Sequence, residues 1–138
     1  MFSLVIRSPL LLINFILETT LGLSMIIKPD LIIRLGSVEI SEALIRTCGM
    51  LALAVAFFSI TSIFFIDRQE NRIDAKIFTY SNLLVFNLAL TIGLLYAAFV
   101  GEISYLGTIV HLPLAVAFAL ALVLNSSKTN QRSLLSQR

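Results

Sequence analysis

The stretch SPLLLINFILETTLGLSMIIK, from Ser8 to Lys28, decides how the rest of the chain reads. Ser8 and Pro9 make a helix start, a hydroxyl able to cap the first turn followed by a proline where no N–H is missed. Lys28-Pro29 makes a stop, because proline biases the residue before it away from helical geometry. Between them lies an apolar run about the length needed to cross a bilayer core, with Glu18 near its middle. At about 100° per residue, Asn14, Glu18 and Gly22 share one helix face. A carboxyl at mid-depth costs roughly 2.5–3.5 kcal/mol on insertion scales, so this face must turn toward other helices and find a partner.

Composition points the same way. The 138 residues are 58% hydrophobic and only 13% charged, and the mean hydropathy is +0.97, too apolar for a soluble domain of this length. The net charge of +2 comes from scattered ends and loops with no basic stripe, so nucleic acid is not an expected partner. A single cysteine, Cys48, excludes an intrachain disulfide and a CxxC redox pair. A single histidine leaves one chain unable to build a bis-histidine haem site or a multi-histidine zinc site. The G-x-G-x-x-G, P-loop, G-x-S-x-G and H-E-x-x-H patterns are all absent. No nucleotide cofactor or metal is expected, and no catalytic residue can be named.

Three more spans follow. A cleaved signal peptide is the competing reading of the N-terminal region, but Glu18 interrupts the run, which is long for such a segment, and no A-x-A-like site follows it. The short Asp30 to Gly36 segment suits a helix lying in the membrane interface or a loop against the bundle mouth. The second span is expected at about 43–66, with Ser41 as its cap. Gly49, Ala52 and Ala56 give it a small-residue stripe for close helix approach. Arg46, in its first turn or so, either anchors at the headgroups or turns inward to Glu18. Residues 67–76 read as a solvated charged loop. The third span, about 77–101, carries Tyr80, Asn87 and Thr91 on one side, and a second small stripe of Gly93, Ala97 and Gly101. Asn87 is either interhelical glue or a ligand contact. A tight turn leads to the fourth span, about 104–125, with Gly107, His111 and Ala115 on one face and Pro113 expected to bend it. Residues 126–138 read as a mobile tail.

The expected fold is therefore all-α: an integral membrane four-helix bundle with a short interfacial helix between spans one and two, forming one domain over residues 1–125. Glu18, Asn87 and His111 converge on its axis, where glutamate and histidine can share a proton or form an ion pair. Asn14, Arg46 and Tyr80 complete the candidate ligand-binding set. Glutamate in span one, Pro29, Leu35-Gly36, Arg46-Thr47-Cys48-Gly49, Asn87 and His111 together resemble the layout of small uncharacterised bacterial four-span membrane proteins, broadly DoxX-like. That resemblance implies a four-helix membrane fold and, from DoxX proteins proper, an association with quinone-linked sulfur oxidation or oxidative-stress complexes.

Two functions are expected from different classes. One is a binding module that holds a quinone- or lipid-like amphiphile at the polar site. The other is an accessory subunit docked to partner membrane subunits or to copies of itself; an oligomeric proton or small-solute transporter is a third reading. Lysine and arginine beside the spans are distributed unequally. Arg7, Arg68, Arg72, Lys76, Lys128, Arg132 and Arg138 fall on one side, and Lys28, Arg34 and Arg46 on the other. The positive-inside rule then puts both termini in the cytoplasm of a cell-membrane protein. A reporter fused after Arg138 is expected to be active only if it works in the cytoplasm; activity outside overturns this orientation.

Overall fold

The computed structural model describes residues 8–36, 41–101 and 105–136. The described residues form five α-helices and no strand: α1 (Pro9–Ile27), α2 (Pro29–Gly36), α3 (Glu42–Arg68), α4 (Arg72–Phe99) and α5 (Leu106–Ser136). Four of them carry apolar segments long enough to cross a membrane: all of α1, α3 and α4, and Gly107–Ser127 of α5. The fold is thus an all-α four-helix membrane bundle, and the protein a multi-pass membrane protein. Exposed large apolar side chains, among them Phe57, Val85, Ile92 and Val123, are what a lipid-facing surface requires.

Packing is not evenly shared among the spans. α1 lies chiefly against α3 and α4 against α5, while the two pairs meet each other through far fewer close approaches. The first pair is held by a glycine crossing. A Cβ on Gly49 would sit 2.7 Å from the Gly22 carbonyl oxygen, and one on Gly22 would sit 2.8 Å from that of Gly49. Neither backbone could move aside without separating the helices. Small residues give this closeness its value in lipid, where dispersion contacts replace the hydrophobic drive between helices. On α3 the buried set Ile45, Gly49, Ala52, Ala56, Ser59, Ile63 and Ile66 follows the spacing of one helix face. In the second pair, Gly107 fits beneath Leu94, whose Cδ1 would be 2.9 Å from an added Cβ.

The two pairs join over an apolar layer at one end of the bundle. Leu11 of α1, Ile63 and Ile66 of α3, Tyr80 and Leu83 of α4, and Leu114 and Phe118 of α5 meet there. The Tyr80 ring packs tilted on Phe118 at a centroid distance of 5.7 Å, and its hydroxyl is hydrogen-bonded to the Ser8 side chain. Ser8 makes no side-chain capping bond to α1. The hydroxyl expected to cap the helix instead stitches the start of α1 to α4.

Several expectations are corrected. Most of the expected 67–76 loop is helix: only Gln69 to Asn71 connects α3 to α4. The Asn71 side chain accepts from the Asp74 N–H and caps α4, and Arg72 pairs with Asp67 at 3.4 Å across the turn. An N-cap followed by an acid in the first turn stabilises a helix start even in a highly charged stretch. Along the Gly93–Ala97–Gly101 stripe Gly93 is exposed, with open space where its Cβ would be, and Ala97 is half-buried, so Gly93 is not a point of close helix approach among the described residues. Gly101 serves the turn, with φ +82, a conformation glycine adopts without steric cost. α5 continues past the expected end at 125 to Ser136. The interfacial segment is helical, and Ser41 caps α3 by accepting from the Leu44 N–H. The links at 37–40 and 102–104 lie outside the described residues.

Gly49→Leu is expected to lower the thermal midpoint, by an overpacking cost of about 1–3 kcal/mol or more, since the clash is with backbone. Gly93→Leu should leave it nearly unchanged. Equal loss from both, in one detergent, would contradict the Gly22–Gly49 crossing.

Candidate functional site

Next to the apolar layer, toward the Gly22–Gly49 crossing, the interior becomes polar. Asn14, Glu18, Ser59, Asn87, Thr91, Thr108 and His111 are all buried there. α1 contributes Asn14 and Glu18 from successive turns of one face, α3 contributes Ser59, α4 contributes Asn87 and Thr91, and α5 contributes Thr108 and His111.

Each half of this layer is first organised within its own helix pair. In the first pair the Asn14 amide nitrogen donates to the Ser59 hydroxyl at 2.9 Å, and Ser59 donates to the Val55 carbonyl at 3.0 Å. In the second pair the Asn87 amide nitrogen donates to the Leu83 carbonyl at 2.9 Å, which only the nitrogen end of the amide can do. Asn87 Oδ1 is thereby left to face His111 Nδ1 at 3.0 Å. An amide oxygen can only accept, so Nδ1 carries the imidazole proton. Thr91 donates to the Asn87 carbonyl at 2.7 Å, and Phe86 meets the His111 ring edge-on with centroids 6.4 Å apart. The histidine is therefore held in one orientation and one tautomer by α4.

Glu18 connects the two halves, incompletely. Its Oε1 lies 3.7 Å from His111 Nδ1, beyond hydrogen-bond length, and the Nδ1 proton is already directed at Asn87. Among the described residues Glu18 Oε1 has no hydrogen-bond donor, and neither does Asn14 Oδ1; the Thr19 and Thr108 hydroxyl oxygens are also buried without a partner there. A buried acceptor left unpaired costs about 1–3 kcal/mol. Two such acceptors one turn apart on α1 form a surface that asks for a hydrogen-bond donor.

Of the candidate residues, Glu18, Asn87 and His111 lie against one another, and Asn14 is buried one turn from Glu18 on the same face of α1. The structure places the other two candidates elsewhere. Arg46 is exposed; it donates to the Ile26 carbonyl at the end of α1 and lies 3.4 Å from Glu42. A guanidinium at a helix C-terminus satisfies a carbonyl left without an intrahelical donor and complements the helix dipole, so it does not turn inward to Glu18. Tyr80 belongs to the apolar layer, two helical turns from Asn87, or about 10 Å along α4. Sequence reasoning did not single out Ser59 or Thr108. The signal for both was present: each lies three or four residues from a residue already placed on the inner face, Ala56 for Ser59 and His111 for Thr108. No group of histidine, cysteine or carboxylate residues suited to a metal ion occurs among the described residues. No family model, curated protein or solved structure matches this chain.

Coupling between the pairs is measurable. Glu18→Gln keeps the shape of the side chain, whereas His111→Phe removes both ring nitrogens. The double variant should lose less stability than the sum of the singles by about 0.5–3 kcal/mol, since each single change strands a buried partner. Strictly additive losses would mean that the two residues act separately.

Proposed function

We propose that the protein is a membrane-embedded binding module whose polar layer receives the head of an amphiphile, lipid- or quinone-like, between the two helix pairs. The unpaired Glu18 and Asn14 oxygens carry this reading. Both are buried acceptors, and a ligand amine, with more than one N–H, would satisfy both, whereas a lipid hydroxyl or the hydroxyl of a reduced quinone would satisfy one of them. His111, oriented by Asn87, stands across from them as the second wall. Because the two pairs share few close approaches, a head can enter laterally from the lipid while its tail stays in the bilayer. Nothing in this role requires bond-making chemistry. The DoxX-like layout, a location in the cell membrane and cytoplasmic termini belong to the same proposal.

An accessory-subunit role is the second reading, and one observation favours it. Ala89, Gly93 and Ala97 recur every fourth residue on α4; the first two are exposed and the third half-buried. The open space at Gly93 would let a helix from another polypeptide approach closely.

Native mass spectrometry of the gently solubilised protein separates the two. A stoichiometric small molecule, released by Glu18→Gln while the helical content is retained, is expected. A companion polypeptide with no small molecule would instead favour the subunit role.

A further inference from the structure

A concave feature lies at the turn between α3 and α4, at the end of the bundle opposite the Gly22–Gly49 crossing. It is an open groove of about 440 Å³ with Phe65, Phe78 and Ala75 on its apolar side and Arg68, Glu70 and Asp74 on its polar side. Phe65 is 46% exposed and Phe78 62%, and both lie within the last and first apolar turns of their helices. Arg68 ends α3, and Glu70 lies in the connection. The groove therefore passes from hydrocarbon to headgroup depth over one helical turn, a polarity gradient that matches an amphiphile standing upright in one leaflet.

Its charges narrow the choice of amphiphile. Arg72 is already paired with Asp67, and the Asp74 carboxylate accepts from the Asn71 amide. Arg68 and Glu70 make no ion pair or hydrogen bond to another described residue. One free cation and one free anion, two residues apart on the same rim, complement a zwitterion. Guanidinium groups bind phosphate oxygens well, whereas Glu70 and Asp74 repel an anionic headgroup. A primary ammonium has three N–H donors for the two carboxylates; a quaternary choline has none.

We propose that this groove binds the headgroup of a zwitterionic phospholipid bearing a primary ammonium, as in phosphatidylethanolamine. The phosphate lies on Arg68, the ammonium between Glu70 and Asp74, and the acyl chains along Phe65 and Phe78. This site is separate from the polar layer and does not depend on it.

The test uses the whole chain in nanodiscs of equal parts phosphatidylethanolamine, phosphatidylcholine and phosphatidylglycerol with identical acyl chains. Native mass spectrometry reads the lipid retained on the ejected protein. Phosphatidylethanolamine should be enriched over each of the others by about two- to fivefold, the range that interfacial ion pairs supply. Glu70→Gln should erase its advantage over phosphatidylcholine, and Arg68→Gln should reduce retention of all three. Both positions are exposed, so folding should be preserved, which circular dichroism checks. Retention of the three lipids in equal amounts by the unaltered protein overturns the proposal. So does an unchanged preference in Glu70→Gln, or a preference for phosphatidylglycerol. Loss of the preference in Glu18→Gln but not in Glu70→Gln would assign the retained lipid to the polar layer and also overturn it.

Discussion

A carboxyl group that must cross the middle of a bilayer cannot be left facing lipid, and the placement of Glu18 constrains the other helices accordingly. Its face of α1 has to be covered, and the covering helices must leave room for polar atoms without opening a path to lipid. The bundle meets this by making two tight pairs first. Gly22 against Gly49 lets α1 and α3 approach backbone to backbone, and the α4–α5 pair closes over the same depth with Asn87 and His111 facing inward. Glu18 is then 2% exposed, although its nearest ionisable neighbour, at 3.7 Å, does not hydrogen-bond to it.

This division gives the bundle layers with different physical roles. The apolar layer around Leu11, Tyr80, Leu83 and Phe118 draws side chains from all four spans. The polar layer beside it is well bonded within each pair and poorly bonded between them. Backbone hydrogen bonds in membrane helices are satisfied internally, so among the described residues the unmet hydrogen bonding of this layer lies in its side chains. Cohesion at one depth and unmet hydrogen bonding at the next is the contrast on which the proposed ligand binding rests.

Most of the fold was legible in the sequence because the signal for membrane spans is long and redundant. Hydropathy over some twenty residues outweighs any single exception, and the helix face of Asn14, Glu18 and Gly22 follows from spacing alone. Other features depended on tertiary choices that spacing cannot rank. Gly49 and Gly93 look equivalent as small residues, yet only Gly49 meets another backbone. Arg46 had two targets within reach, and the free Ile26 carbonyl at the end of α1 lies closer to the interface, where a guanidinium keeps contact with water. Charge density hid the start of α4, since Asn71 and Asp74 act through capping geometry. Asn14, Glu18, Asn87 and His111 were found because polar residues in an apolar run stand out. Ser59 and Thr108 were overlooked because hydroxyl side chains in membrane helices usually bond to their own backbone.

The sole histidine of the chain lies at the contact between the two helix pairs, so its ring nitrogens report on the polar layer without interference. Nitrogen NMR of the protein labelled only in its histidine ring should show Nδ1 protonated, with its signal displaced by Glu18→Gln as well as by Asn87→Leu. A ring protonated at Nε2 alone, or one indifferent to Glu18, would contradict a polar layer assembled across α1, α4 and α5.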